Sequence, residues 1–186
     1  MQRILQTLLF WTLVLCACGT GISPAGVPPQ TETTSAVDIP TASTSPTEPC
    51  GYQWAQKDLP ELSSDFQQSI QGLQPEAQAN AFAFGENCVY ADGNTTFSAM
   101  ETDFNVTLQI NDLSNQSDLG GWIVAIMQVI EKIPQDQIVG PRPGRVSINF
   151  QSNGEQKFVN FYVDQYKALP SNLNNSEIYQ ALQIPQ

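Results

Sequence analysis

Asp103-Phe104-Asn105-Val106-Thr107-Leu108-Gln109-Ile110 is the stretch on which the fold turns. Polar and apolar residues alternate through it without a break. A strand sends successive side chains to opposite faces, so Phe104, Val106, Leu108 and Ile110 share one face while Asp103, Asn105, Thr107 and Gln109 share the other. The first face suits a core and the second suits water. Upstream, Phe97 and Ala99 fall out of phase with this pattern, which predicts a bulge near Met100 to Thr102. Before that, Asp92-Gly93-Asn94 reads as a hairpin turn, preceded by an extended stretch from Ala81 to Tyr90 with Phe82 and Phe84 on one face. Further back, Phe66, Ile70 and Leu73 stand at helical spacing, which gives a helix over about 61–73 ended by Gly72 and Pro75.

Downstream, Ser117-Asp118 opens a second helix. Leu119, Trp122, Ile123, Ile126, Ile130 and Ile133 make its apolar stripe, and Pro134 stops it. After the Gly140-Pro141-Arg142-Pro143-Gly144 loop, Val146, Ile148 and Phe150 alternate up to the tight turn Asn153-Gly154. The return strand carries Val159, Phe161 and Val163, and a last helix covers about 174–182. The order is α-ββ-α-ββ-α. It predicts an α+β fold, a two-layer sandwich with a mostly antiparallel sheet and the helices on one face. Helix plus hairpin occurs twice, so a duplication is conceivable, although the halves share no convincing residue identity.

The composition restricts the chemistry. The 186 residues carry a formal net charge of −11, and 41% are hydrophobic. That is enough apolar material for a core. Nucleic-acid binding, which shows itself as a basic patch, is not expected. The chain has no histidine. This removes Ser-His-Asp and Cys-His nucleophile systems and the commonest general base near neutral pH. The cysteines at 16, 18, 50 and 88 form no CxxC pair, so no structural zinc site is expected, and no cofactor motif is present.

At the N-terminus, Arg3 precedes an apolar run from Ile4 to Leu15. It is shorter than the roughly 20 residues a membrane-spanning helix needs, and reads as the core of a signal peptide. Leu15-Cys16-Ala17-Cys18-Gly19 resembles the lipobox of bacterial lipoproteins, with Leu15 and Ala17 correctly spaced before Cys18. The resemblance implies cleavage before Cys18 and lipidation of its thiol, hence an extracytoplasmic protein held to the membrane by its N-terminal lipid. The domain plan is then 1–17 signal peptide, 18–49 lipidated N-terminus and Pro/Thr/Ser tether, and 50–186 a single α+β domain. The alternative is an ordinary secretory peptide. The tether, if fully extended, reaches on the order of 90 Å. In an oxidising compartment Cys50 and Cys88 should pair, and the bridge would contribute roughly 4 kcal/mol by chain entropy. In a reducing compartment they stay as two thiols.

The sequence offers three candidate sites. The polar sheet face collects Asp103, Asn105, Thr107, Gln109, Ser147, Asn149, Gln151 and Asn160, with Phe158 and Tyr162 beside Asn160. Amides next to rings suit a sugar or an extended peptide, although an ordinary solvated face looks the same from sequence. Arg142 and Arg145 flank the Pro/Gly loop and could hold an anion or pair with the domain's own acids. The carboxylates Glu86, Asp92, Glu101, Asp103 and Asp112 could include a hydrolytic pair. The leading expectation is a non-catalytic binding or interaction module with an unknown protein or carbohydrate ligand. A structural envelope protein and a small carboxylate-based hydrolase are the alternatives.

Overall fold

The computed structural model describes residues 49–183. The signal peptide, the lipobox with Cys18, nearly all of the tether and the last three residues lie outside the described residues. The elements are β1 (Gly51–Asp58), α1 (Pro60–Gln71), β2 (Gln78–Val89), β3 (Thr95–Gln109), α2 (Gln116–Ile130), β4 (Pro143–Ser152), β5 (Glu155–Tyr162), α3 (Val163–Lys167) and α4 (Asn175–Gln183). A short 3-10 turn covers Gln135–Gln137. The class is α+β, built on a five-stranded mixed sheet in the order β1-β2-β3-β4-β5.

The expected order lacked two elements. β1 precedes the first helix, and Val163 does not end a strand but begins α3. β1 is nearly all exposed, so it carries no period-two burial signal, and Gly51-Tyr52-Gln53-Trp54 reads equally well as the end of a linker. The bulge falls where the phase break puts it. Phe84 pairs with Glu101 and Gly85 with Ala99, which leaves Met100 as the extra residue. Asn115, rather than Ser117, caps α2: its side-chain oxygen accepts from the Asp118 N–H at 3.3 Å.

β3 and β4 run parallel, while β1/β2, β2/β3 and β4/β5 are antiparallel. The cause is the connection. A single helix carries the chain back along the sheet, so the next strand starts from the same end as the last. This pairing argues against duplication. β4 runs opposite to β2, yet the strands keep their order across the sheet. A rotation that superimposed the two helix–hairpin units would have to turn α2 onto the other face. Instead α1 and α2 share one core, with Phe66, Ile70, Ile123, Ile126 and Met127 packed with Phe104, Val106, Leu108, Val146, Ile148 and Phe150. Tyr179 and Leu182 of α4 join it, while Trp122 and Ile133, expected in the stripe, are only partly buried.

β1 stops opposite Phe82, so the first part of β2 has a bare edge. α1 covers it with side chains. Ser63 Oγ donates to the Ala81 carbonyl at 2.8 Å and accepts from its N–H at 3.0 Å. Gln67 does the same for the Ala77 carbonyl and the Ala79 N–H. Gln74 then pairs with the Gln109 carbonyl and N–H beyond the end of β2. A buried or half-buried peptide group needs such partners, and serine and glutamine act here as substitutes for a strand.

Candidate binding face

The strand register brings the polar positions together. Across the outer face, Gln78, Thr107, Asn149 and Phe158 form one row, and Asn80, Asn105, Ser147 and Asn160 the next. Gln109, Gln151 and Gln156 make a third. Thus Asn105, Thr107, Gln109, Asn149, Gln151, Phe158, Asn160 and Tyr162 all lie on one side of the sheet, opposite the helices. The last helix does not cover them: α4 buries Tyr179 and Leu182 in the core, and Phe158 is 59% exposed and Tyr162 42%. Sequence reasoning left Gln78, Asn80 and Gln156 out of this face. Gln156 stands two residues before Phe158 and could have been read from the alternation. Gln78 and Asn80 could not, because β2 looked shorter than it is.

Part of the face is pre-ordered. Gln109 donates its amide to Gln151 Oε1 at 2.7 Å, and Asn149 donates to Gln156 Oε1 at 3.2 Å. The Asn149 Oδ1 atom is buried and meets no partner among the described residues. A shallow depression of about 380 Å³ opens where Gln67, Gln78, Ala79 and Asn80 meet Asn105 and Thr107. None of the outward residues in the three rows is charged, although the chain as a whole carries −11.

The next row is different. Asp103 and Glu101 point outward from β3 but are 2% and 6% exposed. Gly144 passes directly over them, and a Cβ there would overlap the Asp103 carboxylate and the Glu101 side chain. Both acids have partners. The Arg145 N–H donates to Asp103 Oδ1 at 2.7 Å, with the Arg145 guanidinium 3.9 Å from Oδ2. Arg142 lies 3.2 Å from Glu101 and 3.6 Å from Asp164. Arg142 and Arg145 therefore pair with the domain's own acids. Burial pushes the Asp103 carboxyl above its usual value, the Arg145 N–H opposes the rise and the Glu101 charge adds to it.

The other acids are dispersed. Asp92 closes its turn by accepting from the Asn94 N–H at 2.9 Å. Asp112 accepts from the Ser114 N–H and hydroxyl, which hold its carboxyl below the usual range. Glu86 lies on the β1–β2–β3 arm opposite Trp54. Glu101 and Asp103 are the adjacent pair, and both are buried. Chemically this face can stack rings and exchange hydrogen bonds with uncharged groups, and its acids serve to fasten β4 to β3.

Cys50 and Cys88 form a disulfide, Cα to Cα 5.4 Å, that fastens the start of β1 to β2. Such a bridge is compatible with an extracytoplasmic location. Among the described residues no helix is long and apolar enough to cross a membrane. The chain matches no known family model, no curated protein and no solved structure, so the reading of this face rests on its own residues.

Proposed function

We propose that the chain is an exported lipoprotein, anchored through Cys18, whose α+β domain binds an uncharged, hydroxyl-rich ligand on the outer face of its two-layer sandwich. A neutral oligosaccharide fits best, and catalysis is not part of the role. One observation carries the reading of the face. Amides and hydroxyls fill the rows from Gln78 to Asn160 with no charge among them, in a chain of net charge −11, and Phe158 and Tyr162 stand exposed at one side. Amides supply the paired donors and acceptors that sugar hydroxyls need, and a ring offers a flat surface to a pyranose. An anionic ligand would meet an acidic molecule, and a cationic one would find no carboxylate free on these rows.

Titration of the full chain with soluble neutral oligosaccharides tests this by amide chemical shifts. Shifts should centre on Asn105, Thr107, Asn149 and Asn160, and Phe158→Ala with Tyr162→Ala should abolish them without moving the urea midpoint. Shifts that fall elsewhere, or that survive the double substitution, would overturn the assignment.

A further inference from the structure

β1 is held on one side only. All eight of its residues pair with β2, from Gly51 opposite Val89 to Asp58 opposite Phe82, and it is the end strand of the sheet. Among the described residues, nothing pairs with its other edge. The contrast with β2 is informative. Where β2 is bare, Ser63 and Gln67 take up its peptide groups. No such side chain covers β1 among the described residues. β1 lacks two of the usual guards of an exposed edge, since its register with β2 has no bulge and no proline falls between Gly51 and Asp58, and its one lysine, Lys57, stands next to its end.

The same strand displays the two most exposed large apolar side chains in the described domain. Tyr52 is 72% exposed and Trp54 68%. They alternate on β1 and so share a face. Phe84 stacks on Trp54 with ring centroids 5.4 Å apart and planes 15° from parallel, which fixes the indole and leaves its other π-face uncovered. The disulfide holds the start of the strand in place. A strand that is already extended and fastened loses little further entropy when a partner pairs with it.

From these features we infer that β1 is a strand-accepting edge for an extended, cationic segment of another protein. Backbone pairing would supply the contact, and every second side chain of the incoming segment would lie beside Tyr52 or Trp54. Charge decides between occupants. Glu86 stands opposite Trp54 and Asp58 closes the strand, against Lys57 alone. A second copy would bring its own −11, whereas lysine or arginine would meet both the acidic field and the open indole face. The surface lies at the opposite end of the sheet from Phe158 and Tyr162 and does not depend on the oligosaccharide reading.

Hydrogen exchange of the full chain in detergent tests it. The probes are a synthetic peptide that alternates lysine with valine and tyrosine, its glutamate counterpart, and the lysine peptide N-methylated at every residue. At about ten times its Kd, the lysine peptide should slow exchange of the edge amides of β1 about tenfold. The glutamate and N-methylated peptides should leave them unchanged. Three results would overturn the inference: no slowing with the lysine peptide at millimolar concentration, equal slowing with the N-methylated one, or slowing without peptide that grows with protein concentration, which would make a second copy the occupant.

Discussion

Asp103 sits on the outward side of β3, yet the start of β4 closes over it, and its charge is held where water is scarce. Its carboxyl is raised above 3.8 mainly by that burial. A carboxyl whose folded-state pKa exceeds its unfolded value binds a proton more readily when folded. Its ionised form therefore costs stability above the folded pKa, and the cost disappears as the pH falls through that value toward 3.8. Asp103→Asn keeps an acceptor for the Arg145 N–H and removes the buried charge. Its urea midpoint at pH 7 should equal or exceed that of the natural chain, with the difference shrinking toward pH 4. Asp103→Leu strands the Arg145 N–H and should cost about 1–3 kcal/mol at pH 7. On β5 the same logic separates neighbours. Phe161 is 2% exposed and Asn160 faces solvent. Phe161→Ala should cost about 3–5 kcal/mol and Asn160→Ala within about 0.5, read from urea midpoints. Equal damage would mean that the β5 register is wrong.

At the scale of elements, α2 and α4 meet through glycine. A Cβ on Gly120 would fall on the Asn175 carbonyl oxygen, and one on Gly121 would crowd the Asn175 amide. Glycine weakens a helix by about 1 kcal/mol relative to alanine, so two in a row near the start of α2 mark a close backbone approach. Gly120→Ala gains helix propensity but should still destabilise by about 1–3 kcal/mol, because the clash is with backbone that cannot rotate away. Hydrogen exchange should show α4 amides opening first. β1 has the opposite problem, since little besides β2 and the disulfide secures it. Cys88→Ser should cost roughly 4 kcal/mol by chain entropy, and the loss should appear first as faster exchange across Gly51–Asp58. If β1 amides exchange equally with and without the bridge, the disulfide does not hold that edge.

For the whole molecule, the proposed lipid at Cys18 would suspend an acidic, face-bearing domain on a tether. Two or three acyl chains hold durably where one does not. Intact mass of membrane-extracted protein should show an acylated N-terminus at Cys18, and Cys18→Ser should release the chain to the soluble fraction. An unacylated product cut after Gly19 would replace the lipoprotein reading with ordinary secretion. The single-helix crossover sets the other whole-molecule property. It keeps α1, α2 and α4 on one core and so leaves the polar rows of β3, β4 and β5 open.

The sequence by itself determined whatever depends on local periodicity. Alternation along Asp103–Ile110 assigned each side chain to core or water, and the phase break at Met100 located the bulge, because a strand repeats every two residues. The stripe from Leu119 to Ile130 marked α2 for the same kind of reason. From those patterns the polar face was legible as a set of residues, although only pairing brought Asn105, Ser147 and Asn160 into one row. Three things needed the tertiary structure. β1 carries no burial pattern, since it is exposed on both faces, so only its pairing with β2 makes it a strand. The burial of Glu101 and Asp103 depends on Gly144, more than forty positions on, crossing above them. The parallel contact of β3 and β4 arises from where α2 returns the chain, which is a property of packing helix against sheet and leaves no mark on either strand.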